Sequence, residues 1–169
     1  GEPVLKRVAA DHRDDVTDRL PKAPATGNGR RIACVGAGPA SLTVANDLLP
    51  LGYAVTIFER GPQPGGLMRS NIPAFRLPAE VLDEEIGYIV GMGATVHYEA
   101  PVASLAALLA SGEYDAVFVG SGAPKGKDLR LPGRDEAAAR IHIGIDWLES
   151  VAFRHVTAIG ERVLIIGVG

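Results

Sequence analysis

The residues of this chain best suited to chemistry are glycines and one carboxylate. Residues 31–41 read RIACVGAGPAS, in which an apolar, strand-forming run breaks at Gly36-Ala37-Gly38 and passes into an Ala- and Leu-rich pattern of helical period. Gly36 permits a sharp exit from the strand, and Gly38 lets backbone approach a pyrophosphate with no Cβ in the way. The helix that follows presents unpaired N–H groups and the positive end of its dipole to the phosphates. The third position of this fingerprint is Ser41 in place of Gly or Ala. A serine is small enough for close helix-to-strand packing and can return its hydroxyl to a backbone carbonyl one turn back. A second strand at 54–58 ends in Glu59, at roughly the 20-residue spacing expected of a carboxylate that accepts hydrogen bonds from an adenosine ribose. A glycine-rich turn in an unrelated α/β protein shares the glycines, but not the strand, helix, second strand and terminal acid in order.

Other candidates carry less. Gly65-Gly66 follows Pro62 and Pro64, and such a pair either lets backbone approach a planar ligand or makes a simple turn. Arg76 lies between Phe75 and Leu77 and needs an anion, for which a phosphate and the Glu80 carboxylate serve equally. Lys125 and Lys127 read as exposed loop lysines, although a phosphate would suit them. His12, His97, His142 and His155 show neither metal-ligand spacing nor a nucleophile partner, so no catalytic residue and no metal ligand is assigned. Cys34 falls inside the first strand and reads as a small buried hydrophobe. As the single cysteine it excludes a disulfide or thiolate-held cluster within these residues. Trp147, in a helical apolar pattern, reads as core.

The elements that must hold these residues are those of an α/β fold. The 169 residues suffice for one substantial core. With 21 glycines, 47% hydrophobic and only 5% aromatic residues, the composition is that of a tightly turned core packed with Val, Ile and Ala. A net charge of −3 gives no electrostatic case for nucleic acid or an anionic membrane, and no apolar run approaches the roughly 18 residues of a membrane helix. The expectation is a soluble, cytoplasmic protein. Residues 1–20 are charged and weakly amphipathic, fit for a short helix, and the proline- and glycine-rich stretch at 21–29 reads as a linker. Helices are expected at 42–49, 80–90, 105–109 and 143–153, and strands at 32–35, 54–58, 94–98, 116–119 and 163–166. Residues 61–78 look too punctuated by Pro and Gly for a regular element.

Residues 163–169 repeat the opening grammar, an apolar strand running into Gly167-Val168-Gly169. Two such units usually serve a flavin and a nicotinamide nucleotide. The domain reading is therefore a connector and linker over 1–29, a first nucleotide-binding domain over 30–160, and the first strand and glycine turn of a second over 161–169.

The chain resembles the flavoprotein subunit of bacterial glutamate synthase and its relatives, including the corresponding domain of dihydropyrimidine dehydrogenase. The resemblance spans nearly the whole chain and rests on GAGPAS (36–41), FERGPQPGGLM (58–68), IPAFRLP (72–78), YDAVFVGSGAP (114–124), KDLRLPG (127–133) and VLIIGVG (163–169). It implies a Rossmann-like FAD-binding domain with a parallel sheet and flanking helices, followed by a Rossmann NAD(P)H domain. By the resemblance, FAD lies along Gly36, Gly38, Pro39, Ala40 and Ser41, with Glu59 and Arg60 toward the ribose. Gly65, Gly66 and Leu67 pass close to the pyrophosphate and flavin, Arg76 makes a charged contact, the backbone near Val102 meets the adenine, and Gly122 belongs to the same site. Gly167 and Gly169 begin the NAD(P)H site. The implied activity is that of an FAD-dependent NAD(P)H oxidoreductase in a hetero-oligomeric complex, with an iron-sulfur subunit or ferredoxin-like domain as electron partner. Relatives often carry iron-sulfur cysteines ahead of the flavin domain, and this sequence does not contain them. The rival readings are a non-catalytic FAD-holding or assembly subunit, and a simple dehydrogenase that uses the Gly36 turn for NAD itself.

Overall fold

A computed structural model describes residues 2–12, 14–15 and 17–167. Four strands form one parallel sheet: β1 (Arg31–Val35), β2 (Ala54–Phe58), β3 (Thr95–His97) and β4 (Ala116–Val119), in the spatial order β3-β2-β1-β4. The helices are α1 (Glu2–Asp11), α2 (Pro39–Leu48), α3 (Leu67–Ser70), α4 (Ala79–Gly91), α5 (Leu105–Ala110) and α6 (Gly144–Ala152). Cys34 pairs with Ile57 on one side and Phe118 on the other, so β1 runs through the middle of the sheet. That position explains its uninterrupted apolar sequence: Ile32, Ala33 and Cys34 are all buried, as a strand covered on both faces requires. On β2 the alternation is clean, with Val55 and Ile57 buried among Leu42, Ala45 and Leu49 of the α2 segment and Leu82 and Ile86 of α4.

Local chemistry sets the ends of these elements. Pro39 begins α2, where its missing N–H removes no helical hydrogen bond. A short 3-10 turn, Leu49–Leu51, ends at Gly52, whose φ of +83° is the left-handed conformation that returns the chain toward β2. Asn28 clips the linker to that turn, its backbone N–H donating to the Gly52 carbonyl at 2.8 Å and its Nδ2 to the Leu51 carbonyl at 3.0 Å. At the N-terminal ends of β1 and β4, Asp115 accepts from the Arg31 N–H at 2.8 Å and from the Arg30 guanidinium at 2.7 Å.

Three expectations change. Residues 67–70 form the single helical turn α3 inside the stretch read as irregular, because the glycines before it leave its amides free to bond back to Gly65 and Gly66. The strand expected at 94–98 contracts to the three residues of β3. The apolar run 163–166 forms no strand: it pairs with none of the four strands, and Leu164 is 86% exposed.

Candidate functional site

The site is built where β1 gives way to α2. The Gly36 N–H donates to the Phe58 carbonyl at 2.7 Å, extending the β1–β2 pairing by one residue, and Gly36 then turns with φ +91°. A Cβ on Gly36 would lie 2.7 Å from the Gly120 carbonyl oxygen, so only glycine fits between the exits of β1 and β4. Gly38 caps α2 in an extended conformation, and the first N–H groups of the helix, those of Ala40 and Ser41, have no acceptor within it. They and the positive end of the helix dipole face the same place.

A second glycine loop closes over the first. The Gly65 N–H donates to the Ala37 carbonyl at 2.8 Å, and Gly66, with φ +53°, comes so near that a Cβ on it would stand 2.9 Å from the Gly38 Cα. Two backbones thus meet with no side chain between them. Arg69 steadies this loop from behind. Its Nε donates to the Pro64 carbonyl, and its guanidinium pairs with Asp83 of α4. Asn71 ties the end of α3 to α6 through the Ile145 carbonyl at 2.7 Å.

Glu59 stands at the end of β2, partly buried, and spans two loops. One carboxylate oxygen accepts from the Ala37 N–H at 2.7 Å and the other from the Gly61 N–H at 2.8 Å. Each oxygen keeps a second lone-pair direction, so the carboxylate braces the glycine turn and retains acceptor capacity for a ligand hydroxyl. Beside it, Arg60 and Gly61 face Pro124 and Lys125 from the loop after β4, and Asp146 and Glu149 of α6, around a cleft of about 540 Å³. This cleft joins the exits of the two strands flanking β1, the position at which doubly wound sheets take their ligands.

The structure brings Gly36, Gly38, Ala40, Ser41, Glu59, Gly65 and Gly66 into this single constellation, with Pro39 as its helix start and Leu67 just behind the second loop. Arg60 lies at the cleft, and Lys125, exposed as expected, lines it too. Val102 is half-buried in the loop between β3 and α5. Arg76 is exposed beside Phe75, itself 83% exposed, while Leu77 is half-buried. Gly122 turns with φ +67° in open space and Gly167 with φ +92°, while Gly169 lies outside the described residues. Gly120 went unselected, although it is the glycine of GSG packed into the site. A Cβ there would collide with Ser41 Oγ, against the 3.0 Å left to the Phe118 ring. Its position at the end of β4, one strand over from the fingerprint, was the available signal.

One local expectation fails. The Ser41 hydroxyl does not return to a carbonyl one turn back; it is fully buried, without a hydrogen-bond partner among the described residues, and presses on Gly120. Burial pushes the Cys34 thiol up to about 11, which fits a packing role. His97 stacks on Phe58 with ring centroids 5.3 Å apart. Among the described residues no three His, Cys, Asp or Glu side chains are grouped to hold a metal ion, and no helix is long and apolar enough to cross a membrane.

Comparison with known proteins bears on this constellation. A family model described as an NAD(P)-binding Rossmann-like domain matches residues 34–99, from the end of β1 to just past β3. The chain is 43% identical over 146 residues to an NAD-dependent dihydropyrimidine dehydrogenase subunit PreT homolog of Salmonella typhi, covering 86% of this chain and 34% of that protein. It is 33% identical to the NADPH-Fe(3+) oxidoreductase subunit beta of Geobacter sulfurreducens, covering 98% of this chain and 25% of the relative. It is 32% identical to the glutamate synthase [NADPH] small chain of Mycobacterium tuberculosis, covering 99% and 38%. The chain thus spans little more than a third of the length of these relatives at most. Among solved structures, the Mycobacterium tuberculosis oxidoreductase FprA in complex with NADPH is similar with a TM-score of 0.60 and 25% identity, over 72% of this chain and 28% of FprA.

Proposed function

We propose, on the premise that this chain is a relative of the glutamate synthase small chains and the PreT-type oxidoreductase subunits, that it is the FAD-holding part of an NAD(P)H-dependent oxidoreductase subunit. The observation that carries the reading is the pair of glycine loops meeting backbone to backbone at the start of α2, where a Cβ on Gly66 would stand 2.9 Å from the Gly38 Cα. A dinucleotide fits this donor set. The Ala40 amide at the start of α2 suits its pyrophosphate, the Glu59 carboxylate suits ribose hydroxyls, and the Gly65-Gly66-Leu67 segment offers a flat approach to a ring system. Arg60, Arg76, the backbone near Val102 and Gly122 complete the proposed FAD site.

When bound, the flavin supplies the hydride and single-electron chemistry; the protein's part is binding, orientation and exclusion of water. Accordingly no side chain here is assigned as acid or base. In the longer assembly, residues 30–160 are the first part of the FAD domain, and residues 161–169, with Gly167 and Gly169, begin the NAD(P)H domain. The partner is an iron-sulfur subunit or ferredoxin-like domain in a hetero-oligomeric, cytoplasmic complex. The relatives' names support the subunit character, since all three denote subunits or a small chain.

The family model's description, an NAD(P)-binding domain, favours one alternative: the Gly36 turn takes the nicotinamide nucleotide itself. Acid release of the bound nucleotide followed by chromatography separates the two. Stoichiometric FAD supports the proposal, and stoichiometric FMN or NAD sinks it. Anaerobic titration of the longer parent protein with NADH and NADPH then tests turnover, and a flavin that neither nucleotide bleaches would indicate a holding subunit.

A further inference from the structure

Arg69 is a charged side chain that the fold has taken almost out of water. It is only 10% exposed, while its ion-pair partner, Asp83 of α4, is 62% exposed. Burying a guanidinium costs stability unless its donors are bonded, and a leucine or methionine would fill the same space without that cost. What the guanidinium has and they lack is a donor for each of two partners. Its Nη2 pairs with Asp83, and its Nε donates to the Pro64 carbonyl.

The second bond falls on the peptide unit that joins the two glycine loops. Pro64 and Gly65 share one planar trans peptide, so the Pro64 carbonyl and the Gly65 N–H point in opposite directions. That N–H donates to the Ala37 carbonyl at 2.8 Å. One peptide plane is thus held at both poles, by Arg69 behind and by the fingerprint turn in front. Gly65 has φ +120° and no Cβ, so its own backbone preferences do not fix the orientation of the plane. A reversed plane would lose the Ala37 bond and set the Pro64 carbonyl against the Ala37 carbonyl, acceptor facing acceptor.

We propose that Arg69, steered by Asp83, is the positioning residue of the second glycine loop: it fixes the Pro64–Gly65 peptide plane and so sets how that loop meets the ring half of a bound dinucleotide. The inference rests on the reading that Gly65-Gly66-Leu67 approaches a ring system. Arg69 acts through the backbone and touches no ligand. Its effect is therefore selective, because the adenosine diphosphate half belongs to the Gly36 turn, the start of α2 and Glu59, to which the Arg69 side chain makes no hydrogen bond among the described residues.

Two variants test it. Asp83→Ala alters an exposed residue and frees the outer end of the guanidinium, whereas Arg69→Lys keeps the charge but serves only one of the two partners at a time. In the ligand-free protein, hydrogen exchange at the Gly65 amide is expected to quicken about two- to fivefold in Asp83→Ala and about tenfold in Arg69→Lys. In the FAD-loaded protein, stopped-flow displacement should show FAD leaving faster by similar factors, while the calorimetric affinity for ADP stays at the parent's value. A merely structural arginine would weaken FAD and ADP together, or neither. Equal losses for the two, FAD release unaltered in both variants, or a Gly65 amide that exchanges at the parental rate in both overturns the proposal. If Arg69→Lys does not fold, Asp83→Ala decides alone. Acid release that yields no FAD would sink the flavin reading, and exchange at Gly65 in the ligand-free protein would still decide the positioning role.

Discussion

Gly120→Ala adds one methyl group at the tightest point of the site, and the structure allows its cost to be worked out. The new Cβ would press on Ser41 Oγ and stand 3.0 Å from the Phe118 ring and 3.3 Å from the Ser41 nitrogen. Gly120 is not among the glycines with positive φ, so alanine meets no backbone penalty and the cost is steric. Overpacking of a filled site costs about 1–3 kcal/mol, while a glycine-to-alanine change at a permissive backbone returns about 0.4–1 kcal/mol by stiffening the unfolded chain. The net expectation is a loss of about 1–2 kcal/mol. With a slope typical of small domains, that lowers the urea midpoint by roughly 0.5–1 M. Circular dichroism at 222 nm in urea reads it for the parent, Gly120→Ala, Ser41→Ala and the double variant. Removing Ser41 Oγ relieves the worst contact but leaves Phe118 in place, so the double variant should recover part of the loss, with a coupling of about 0.5–1 kcal/mol. A Gly120→Ala protein as stable as the parent, or four strictly additive stabilities, would refute the contact and the packing argument with it.

Glu59→Gln keeps one acceptor oxygen but turns an amide NH2 toward the second backbone N–H, so it should lose about 1–3 kcal/mol before any ligand is added, read by the same urea melt. Cys34, buried with its thiol pushed up to about 11, should resist a thiol reagent such as DTNB at pH 8 in the folded protein and react at once in denaturant; rapid labelling of the folded protein would contradict its burial. Hydrogen bonds from the Arg31 N–H and the Arg30 guanidinium hold the Asp115 carboxyl below its usual range. Because its folded value is the lower one, its contribution is fully present above about pH 4 and fades as acid protonates it, so the acid melting curve of Asp115→Asn should be flatter than the parent's below about pH 4. Arg76→Ala should weaken FAD binding by about 1.5 kcal/mol, roughly tenfold, in fluorescence titration, and unaltered affinity would remove Arg76 from the site.

Much of this was legible in the sequence because local backbone chemistry dictated it. RIACVGAGPAS could hardly be anything but a strand, a positive-φ turn and a helix start, and its βαβ unit formed with Glu59 at the end of β2. What sequence could not show was which loops meet. The contacts of Gly66 with Gly38 and of Gly120 with Ser41 join residues distant in the chain, and the second is set by the exits of β1 and β4 lying side by side. Apolar neighbours in sequence suggest burial only where the chain folds inward, and residues 74–76 are exposed. The strand expected at 163–166 had propensity but pairs with none of the four strands.

The Asp115 clamp lies at the opposite end of the sheet from the glycine loops, with the length of β1 between them. Both ends of the central strand are therefore pinned by a carboxylate that accepts backbone N–H groups, Asp115 where β1 starts and Glu59 at the turn by which it leaves.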